Sequence, residues 1–514
     1  MAMPTPPSRT PLLTERYAAR IRGVLSCHDR VVIMGTLPEI CHSQAMALFL
    51  GIRRIRLFDY TQWAQPLREE IREHAERLAA ENGLAIEFIR NVDQFRKEAR
   101  IKAIIAERGD HPGLVHIFSA MEGCRSFLPW HDKSTHKTFL KPTTSKCLHY
   151  YFYFIDEELG LCYVRVPTWA PFRLQFYFNG HNALAHRLRK KGIGFTLVEN
   201  VFVDVEDWAS AQKIADSLRP DRLHRRLDQL AASYCPVVQH FSSGYHWSIM
   251  QAEYATDIVF KDRSDLGPLY ERLSRTAIHA VKAQDVAMFL GRKLDGRYLA
   301  ELGSDFQTRI QGTRIKHHMR EVSIKMYDKL GLVLRIETTV NDVSFFRHHR
   351  RVEHRDGSWE MKLAPLRKSI YSLPILRELM LAANRRYLEF ISDLDDPSPG
   401  ARNLDRISTP VRQGDRSYRG FNLFDRDDVD LLLAVVRGEF QISGFSNRRL
   451  RSVLPGRTGP QISRLLKRLW LHGLVRKVGH TYKYYLTRLG RRLVLTALKL
   501  KEALIIPTLA RASA

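Results

Sequence analysis

The chain has 514 residues, 44% of them hydrophobic and 10% aromatic, which is enough for several folded domains and excludes a largely disordered protein. Its 81 Lys and Arg outnumber its 55 Asp and Glu, and the net charge of +26 favours a polyanionic partner such as nucleic acid. The sequence has no run of about 18 apolar residues and no secretory signal, and its cysteines show no CxxC spacing. We therefore expect a cytoplasmic protein without a membrane partner, a disulfide framework or a zinc finger.

Strands and helices are predicted to alternate through residues 29–121. The strands are expected at 31–34, 55–58, 86–89 and 114–118, and the helices at 38–50, 66–82 and 92–108. This alternation is typical of an α/β domain with a parallel sheet, which we assign to residues 1–145. The region contains neither GxGxxG nor GxxxxGK[ST], so no nucleotide site is predicted there.

Residues 146–394 are predicted to form a mixed α+β region that processes nucleic acid. Antiparallel hairpins are expected at 147–166 and 323–340, and helices at 212–235, 263–303 and 363–393. The following residues, 395–424, are rich in Pro, Gly, Ser and charge, which indicates a linker.

The last segment, residues 425–514, is predicted to form three helices followed by a two-stranded hairpin. The helices are expected at 428–437, at 447–453 after a Ser446 cap, and from Pro460 onward, and the strands at 475–478 and 483–487. In the third helix an apolar face is formed by residues spaced i, i+3, i+4 and i+7, namely Ile462, Leu465, Leu466 and Leu469.

The sequence YLTRLGR at 485–491 follows this hairpin and resembles the MarR-like winged helix-turn-helix family over about residues 425–490. The resemblance implies that the third helix enters the major groove of DNA and that the wing contacts the backbone. The polar side chains expected to bind nucleic acid here are Arg448, Arg449, Arg451, Gln461, Ser463, Arg464, Lys467, Arg468, His480 and Lys483. A winged helix that makes only protein contacts is the alternative.

The hairpin at 323–340 carries the candidate chemistry. A three-residue loop at 329–331 would place Met326 opposite Leu334 and Lys325 opposite Arg335. Tyr327 and Glu337 then share the polar face with the two cations. Because like charges are unfavourable cross-strand neighbours, this arrangement indicates either a bound anion such as a phosphate or neutralisation by the diagonal Glu337.

The segments Gly312-Thr313-Arg314, KMYDK at 325–329 and LRIE at 334–337 resemble the active-site region of plasmid rolling-circle replication initiators, which nick DNA through a tyrosine. The resemblance implies that Tyr327 is the nucleophile and Glu337 a metal ligand. Lys325 and Arg335 are expected to lower the pKa of the phenol and to neutralise developing phosphate charge.

Two further carboxylates are candidates for the metal site of this hairpin. Glu253 and Asp257 are four residues apart and would share a face, so with Glu337 they could hold Mg²⁺ or Mn²⁺. The alternative for these two carboxylates is a solvated face, and the alternative for the hairpin is a polar face that binds a backbone phosphate without catalysis.

Two basic clusters flank the hairpin and are expected to bind nucleic acid. They contribute Lys316, Arg347, Arg350 and Arg351, and the neighbouring Phe345-Phe346 could stack on bases.

Together these features predict a DNA-binding protein of a mobile or replicating element, of the transposase, recombinase or replication-initiator kind, that cuts or transfers a DNA strand. One alternative is a MarR-like regulator without catalytic activity. A further alternative is an RNA-binding protein that stacks bases on the aromatic hairpin 147–166. DNA is the expected partner, and a homodimer remains open.

Overall fold

The computed structural model describes residues 11–90, 95–292, 302–309, 312–395, 405–437, 439–440, 444–479, 481–501 and 506. The chain divides into two compact units, Met1–Asp395 and Asp396–Ala514. Both helices and strands are abundant, and a large sheet with parallel and antiparallel neighbours accompanies several small hairpins. The expected mixed α/β class is therefore confirmed. Among the described helices, none has the length and apolar character needed to cross a membrane.

The first unit is built around one eleven-stranded sheet. Its strands and those of two small hairpins are β1 (Ile21–Thr36), β2 (Ile86–Ile89), β3 (Gly113–Asp132), β4 (Lys137–Asp156), β5 (Gly160–Pro167), β6 (Leu174–Phe178), β7 (Phe195–Val198), β8 (Val201–Val205), β9 (His246–Phe260), β10 (Leu302–Arg309), β11 (Gly312–Met319), β12 (Val322–Lys329), β13 (Val333–Val340), β14 (Arg347–Glu353) and β15 (Trp359–Pro365). The order in the large sheet is β10-β11-β12-β13-β9-β1-β6-β5-β4-β3-β2.

The N-terminal part of this sheet differs from the expected parallel arrangement. Among the described strands only β2 and β3 run parallel, whereas β1 pairs antiparallel with β6 and with β9. Alternating strands and helices suggested that the first strands were neighbours, but the partners of β1 come from much later in the chain. Residues 55–58 form no strand, because the chain makes a short 3₁₀ turn at Leu57–Asp59. The boundary expected at residue 145 falls inside β4.

Helices cover parts of both faces of the sheet. They are α1 (Leu13–Arg16), α2 (Ser43–Ile52), α3 (Tyr60–Glu81), α4 (Lys97–Arg108), α5 (Gly180–Lys190), α6 (Trp208–Ala215), α7 (Pro220–Tyr234), α8 (Arg263–Ala280), α9 (Ala283–Phe289) and α10 (Leu373–Asp395). The main core joins one face to α2, α3, α7, α8 and α10. The helix expected at 263–303 ends before β10, and the residues from 363 to 365 belong to β15 instead of a helix.

The second unit contains the predicted succession of three helices and a hairpin. Its elements are β16 (Val411–Gln413), β17 (Arg416–Tyr418), α11 (Arg426–Val435), α12 (Asn447–Val453), α13 (Gly459–Leu471), β18 (Val475–Lys477), β19 (Tyr484–Leu486) and α14 (Arg488–Leu500). Ser446 caps α12 by accepting the Arg449 N–H. Ile462, Leu466 and Leu469 are buried in the core of this unit, as the helical spacing predicts.

Part of the predicted linker belongs to the second unit. Ile407 and Phe421 are 2% and 4% exposed and pack into its core, and β16 and β17 form a hairpin between them. Two apolar side chains separated by polar residues give no periodic signal, so the sequence did not predict this packing. The remainder of the linker, residues 396–404, lies outside the described residues.

Candidate active site

The hairpin of β12 and β13 has a register that differs by two residues from the predicted one. Lys325 is opposite Glu337, and Arg335 is opposite Tyr327. The reason is the turn, where Leu330 and Gly331 both have positive φ and the strands pair from Lys329 onward. A shift of two residues preserves the alternation of faces, so the four candidate side chains still share one face. The predicted opposition of Lys325 and Arg335 is wrong.

Two neighbouring strands add carboxylates to this face. β9 lies beside β13, and it places Asp257 opposite Arg335 and Glu253 opposite Thr339. β1 lies on the other side of β9, and the pairing of the two strands shifts between His28 and Arg30. Asp29 is the extra residue of this β-bulge, which directs its side chain towards the carboxylates of β9 and β13.

Asp29, Glu253 and Glu337 form the most compact carboxylate cluster. One oxygen of each lies within 4.8 Å of the others, a spacing that suits one shared divalent cation. Asp29 and Glu337 are buried and Glu253 is half-buried. The predicted pair Glu253 and Glu337 is thus brought together, whereas sequence reasoning missed Asp29. Its only local signal is a carboxylate two residues before the apolar run 31–34.

Asp257 is engaged elsewhere and does not belong to this cluster. Its two oxygens accept hydrogen bonds from Nε and Nη2 of Arg335, each at 2.6 Å, and His181 Nε2 lies 3.5 Å away. Burial alone would raise the pKa of Asp257, but Arg335 and His181 outweigh it and lower that pKa. The assignment of Asp257 as a metal ligand is corrected, because a carboxylate held by a bidentate arginine has little capacity left for a cation.

Lys325 and Tyr327 both bind Glu337. Lys325 Nζ donates to Oε1 at 2.6 Å, and the Tyr327 hydroxyl donates to Oε2 at 2.7 Å. Burial raises the pKa of Tyr327 well above its usual value, and the charge of Glu337 raises it further, whereas Arg335 only partly opposes this. The expected lowering of the phenol pKa is therefore wrong in direction, because desolvation exceeds the effect of the cation.

Glu253 experiences a different environment from the other two carboxylates. Burial raises its pKa, the nearby charge of Glu337 raises it further, and Lys325 lowers it from 3.8 Å away. For Asp29, burial acts in the same direction, but His181 and Arg335 outweigh it and depress the pKa. The cluster therefore combines Asp29, which is firmly ionised, with Glu253, whose ionised form is destabilised by burial and by the charge of Glu337.

A second layer of polar groups holds Asp29 and Arg335 in place. Arg335 is fully buried and donates from Nη2 to the carbonyl of Asn200 at 2.7 Å. His181 Nδ1 lies 3.0 Å from Asp29, whose carboxylate also accepts from the Asn200 side chain. Lys329 donates to the same Asn200 amide, and burial followed by Arg335 lowers the pKa of Lys329 to about 8. The site is thus fixed by contacts from α5 and the β7–β8 turn.

The second unit exposes most of its predicted nucleic-acid contacts. Its exposed members are Arg448, Arg449, Arg451, Gln461, Ser463, Arg464 and Lys483. Gln461 accepts the Thr458 N–H as part of a helix cap, and Ser463 accepts from Asn447. Lys467 is half-buried beside Trp470, 4.5 Å from its ring centre, and His480 lies outside the described residues.

Arg468 does not belong to this exposed basic surface. It is 5% exposed and donates to both oxygens of Asp428, at 2.6 and 2.8 Å, and to the carbonyls of Arg419 and Gly420. Burial would raise the pKa of Asp428, but the hydrogen bonds from Arg468 outweigh it. Arg468 is therefore a structural residue, and its predicted contact with DNA is wrong. Helical periodicity could not show that a carboxylate and two carbonyls face it.

The basic residues flanking the central hairpin lie on two different sheets. Lys316 is half-buried on β11 directly opposite Lys325, whereas the β14 residues Arg347 and Arg351 are exposed and Arg350 is half-buried. The neighbouring Phe345-Phe346 is buried and presents no ring to a base, contrary to the prediction.

The aromatic hairpin of β4 and β5 is also buried. Tyr151, Phe152, Tyr153 and Phe154 are each at most 6% exposed and pack into the cores on the two faces of the sheet. These rings offer no stacking surface to an RNA base, because the aromatic run that suggested RNA binding forms part of the hydrophobic cores.

The chain matches no protein-family model, and comparisons with curated proteins and with solved structures also give no match.

Proposed function

We propose that the protein is a DNA-binding enzyme of a mobile or replicating element, and that it cuts a DNA strand with a divalent metal ion held by Asp29, Glu253 and Glu337. The observation that carries this proposal is the convergence of the three carboxylates within 4.8 Å on adjacent strands. Mg²⁺ and Mn²⁺ prefer such oxygen ligands, and nucleases use them to act on phosphodiesters.

The electrostatics of the cluster support a cation ligand. Glu253 and Glu337 lie close together, and Lys325 is the cation that contacts both. Burial and the charge of Glu337 raise the pKa of Glu253, so a divalent ion would stabilise its ionised form.

The surrounding side chains suit a metal-activated water better than a tyrosine nucleophile. A bound Mg²⁺ or Mn²⁺ would supply Lewis-acid activation of the phosphate or of a water molecule. Tyr327 has a raised pKa and donates to Glu337, so its role in this proposal is to orient that carboxylate. Lys316 lies between Lys325 and Asp305 on the neighbouring strands and forms no ion pair in the described part of the chain, so in this proposal it contacts a phosphate of the substrate.

DNA recognition is assigned to the second unit in this proposal. Exposed cations on α12, on α13 and beside β19, among them Arg448, Arg464 and Lys483, present positive charge on a helical module followed by a hairpin. Such a surface binds the phosphate backbone and positions a helix in the major groove.

The proposal is tested by nicking of supercoiled plasmid DNA with Mg²⁺ or Mn²⁺, and with EDTA as the metal-free control. Glu253→Gln and Glu337→Gln should slow cleavage at least about 100-fold, because each removes an ionised ligand. Glu199→Gln is the matched control, since Glu199 lies 4.0 Å from Lys329 but is exposed and outside the cluster. Calorimetry should show that Mn²⁺ binds the wild type and the control, but binds the cluster variants much more weakly.

The rival function is a DNA-binding regulator without catalysis. It is favoured by the short Lys325–Glu337 ion pair, because such a pair can hold a sheet together without any ligand. If the wild type binds DNA but neither cleaves it nor binds Mn²⁺, the regulator replaces the enzyme.

A further inference from the structure

The outer half of the β3–β4 hairpin has one side packed on the protein and one side open. Phe127 and Leu140 are buried in the main core. Towards the turn the alternate residues face solvent, and Leu128, Trp130 and Phe139 are 50%, 48% and 43% exposed, whereas Ser126, further from the turn on the same side, is buried under Trp169. Trp130 and Phe139 are direct cross-strand partners, so two large aromatic rings lie side by side on an open sheet surface.

This hairpin is strongly cationic. Its outer half carries five cations, which are Arg125, Lys133, Lys137, Lys141 and Lys146. None of the five has a carboxylate partner within the part of the chain that the structure describes. The one carboxylate of this half, Asp132, accepts hydrogen bonds from Ser134 and Thr135 at the turn. By strand alternation Lys137 and Lys141 lie on the side of Trp130, whereas Arg125 and Lys146 lie on the side of Phe127. Exposed cations that form no ion pair among the described residues favour a polyanionic ligand.

Cations and aromatic rings alternate on the open side. Lys141 Nζ lies 5.4 Å from the centre of the Trp130 ring, and the next cross-strand pair towards the turn is Asp132 and Lys137. Aromatic faces flanked by lysines are the combination with which proteins stack unpaired bases and neutralise the attached phosphates. Paired bases within a duplex are not available for such stacking, so this surface suits a single strand.

The open side of the hairpin and the carboxylate cluster lie on the same face of the large sheet. Residues that are direct cross-strand partners, or that lie an even number of positions apart on one strand, share a face of a sheet. Such steps lead from Glu253 to Trp130 through Arg30, Met34, Gln175, Arg165, Tyr151 and Phe118. No β-bulge interrupts β3 between Phe118 and Trp130, so the alternation of faces holds along this strand.

A cavity beside Gln175 provides a further cationic contact. It has a volume of about 350 Å³, and its lining includes Arg125, Arg173, Trp169 and Gln175. Arg173 Nε is buried without a hydrogen-bond partner among the described residues, and burial followed by the charge of Arg125 lowers the pKa of Arg173. A phosphate in the cavity would relieve this repulsion.

We propose that the open side of the β3–β4 hairpin binds single-stranded DNA, with bases stacked on Trp130 and Phe139 and phosphates neutralised by Lys137 and Lys141. The strand would continue past the arginine-lined cavity towards the carboxylate cluster. The choice of DNA rests on the proposed function, whereas the preference for an unpaired strand rests on the exposed aromatic pair alone.

The test measures binding of the full-length protein to a fluorescein-labelled oligothymidylate by fluorescence anisotropy, in EDTA so that cleavage plays no part. Trp130→Ala/Phe139→Ala should weaken binding at least tenfold, and Lys137→Gln/Lys141→Gln should weaken it and reduce its salt dependence. Trp130→Phe should retain most of the affinity, because it keeps a stacking ring. Phe58→Ala is the control, since Phe58 is 61% exposed in the 3₁₀ turn Leu57–Asp59, outside this hairpin.

Duplex DNA and an oligouridylate of the same length are measured in parallel with each variant. Duplex affinity should not change, because the second unit is proposed to bind it. The proposal is overturned if the double aromatic variant binds oligothymidylate like the wild type, or if only oligouridylate binding is lost. It is also overturned if the aromatic variant changes a dimer into a monomer without affecting DNA. Because the binding measurements contain EDTA and no free metal, they test strand binding even if the protein does not cleave DNA.

Discussion

Tyr327 and Glu337 are diagonal neighbours on β12 and β13, and the tyrosine hydroxyl donates to the glutamate at 2.7 Å. This contact ties the candidate nucleophile to the candidate metal ligand. Because ionising the phenol would place two negative charges on this short contact, the geometry opposes a tyrosinate while Glu337 is ionised.

We therefore expect Tyr327→Phe to retain metal-dependent cleavage, with a rate reduced by about tenfold because one hydrogen bond that orients Glu337 is lost. The measurement is cleavage of end-labelled DNA followed on a denaturing gel. A DNA–protein adduct that forms with the wild type and disappears in Tyr327→Phe would instead establish the tyrosine as the nucleophile.

Removal of the buried cation at the centre of the site should destabilise the first unit. Arg335→Met leaves Asp257 buried without its bidentate partner, and we expect a loss of about 3–5 kcal/mol in the free energy of unfolding. Arg335→Met/Asp257→Leu should recover part of this loss, because both charges are then absent. Urea denaturation measures the effect, and Arg351→Met, at an exposed position, is the control. A double variant less stable than Arg335→Met would argue against the pairing.

Neighbouring cations of α13 should differ in their roles, because Arg464 is exposed and Lys467 is half-buried, whereas Arg468 is buried. In a fragment spanning 405–514, we expect Arg464→Ala/Lys467→Ala to weaken duplex binding about 10-fold to 100-fold while the circular dichroism spectrum stays unchanged. Arg468→Ala should instead unfold the fragment or lower its melting temperature, because Asp428 loses its buried partner. Unchanged DNA binding in the first variant would show that α13 does not contact the duplex.

Three buried histidines should make the first unit sensitive to acid. Burial, assisted by Arg377 for His28, by Arg165 for His149 and by His318 for His317, lowers each pKa from 6.5 to about 4. The folded protein thus keeps these histidines neutral, whereas the unfolded chain takes up protons below pH 6.5. Their stabilising contribution is complete above pH 6.5 and is lost as the pH falls towards 4.

Each histidine contributes at most about 3 kcal/mol over this range. The urea midpoint of the protein should therefore fall between pH 7 and pH 5, and His149→Gln should show a shallower fall. Equal pH dependence in the variant and the wild type would rule out His149 as a source of the effect.

Local sequence pattern determined several features of this protein. The alternation of polar and apolar residues in 323–340 placed Tyr327 and Glu337 on one face, and this holds although the register is shifted by two, because a strand repeats every two residues. The apolar spacing in α13 likewise identified its buried side chains. Such patterns arise because one face of each element packs on a core, and the spacing of apolar residues within the element shows which face that is.

Tertiary structure decided the features that depend on distant partners. Asp29 joins Glu337 because β1 and β13 flank β9 and because a bulge turns its carboxylate into the cluster, and no periodicity near residue 29 encodes these neighbours. The burial of Arg468 depends in the same way on Asp428, a residue from another helix. Polar side chains have no fixed preference for solvent once a partner of opposite charge is buried beside them, so their placement follows from the packing of whole elements.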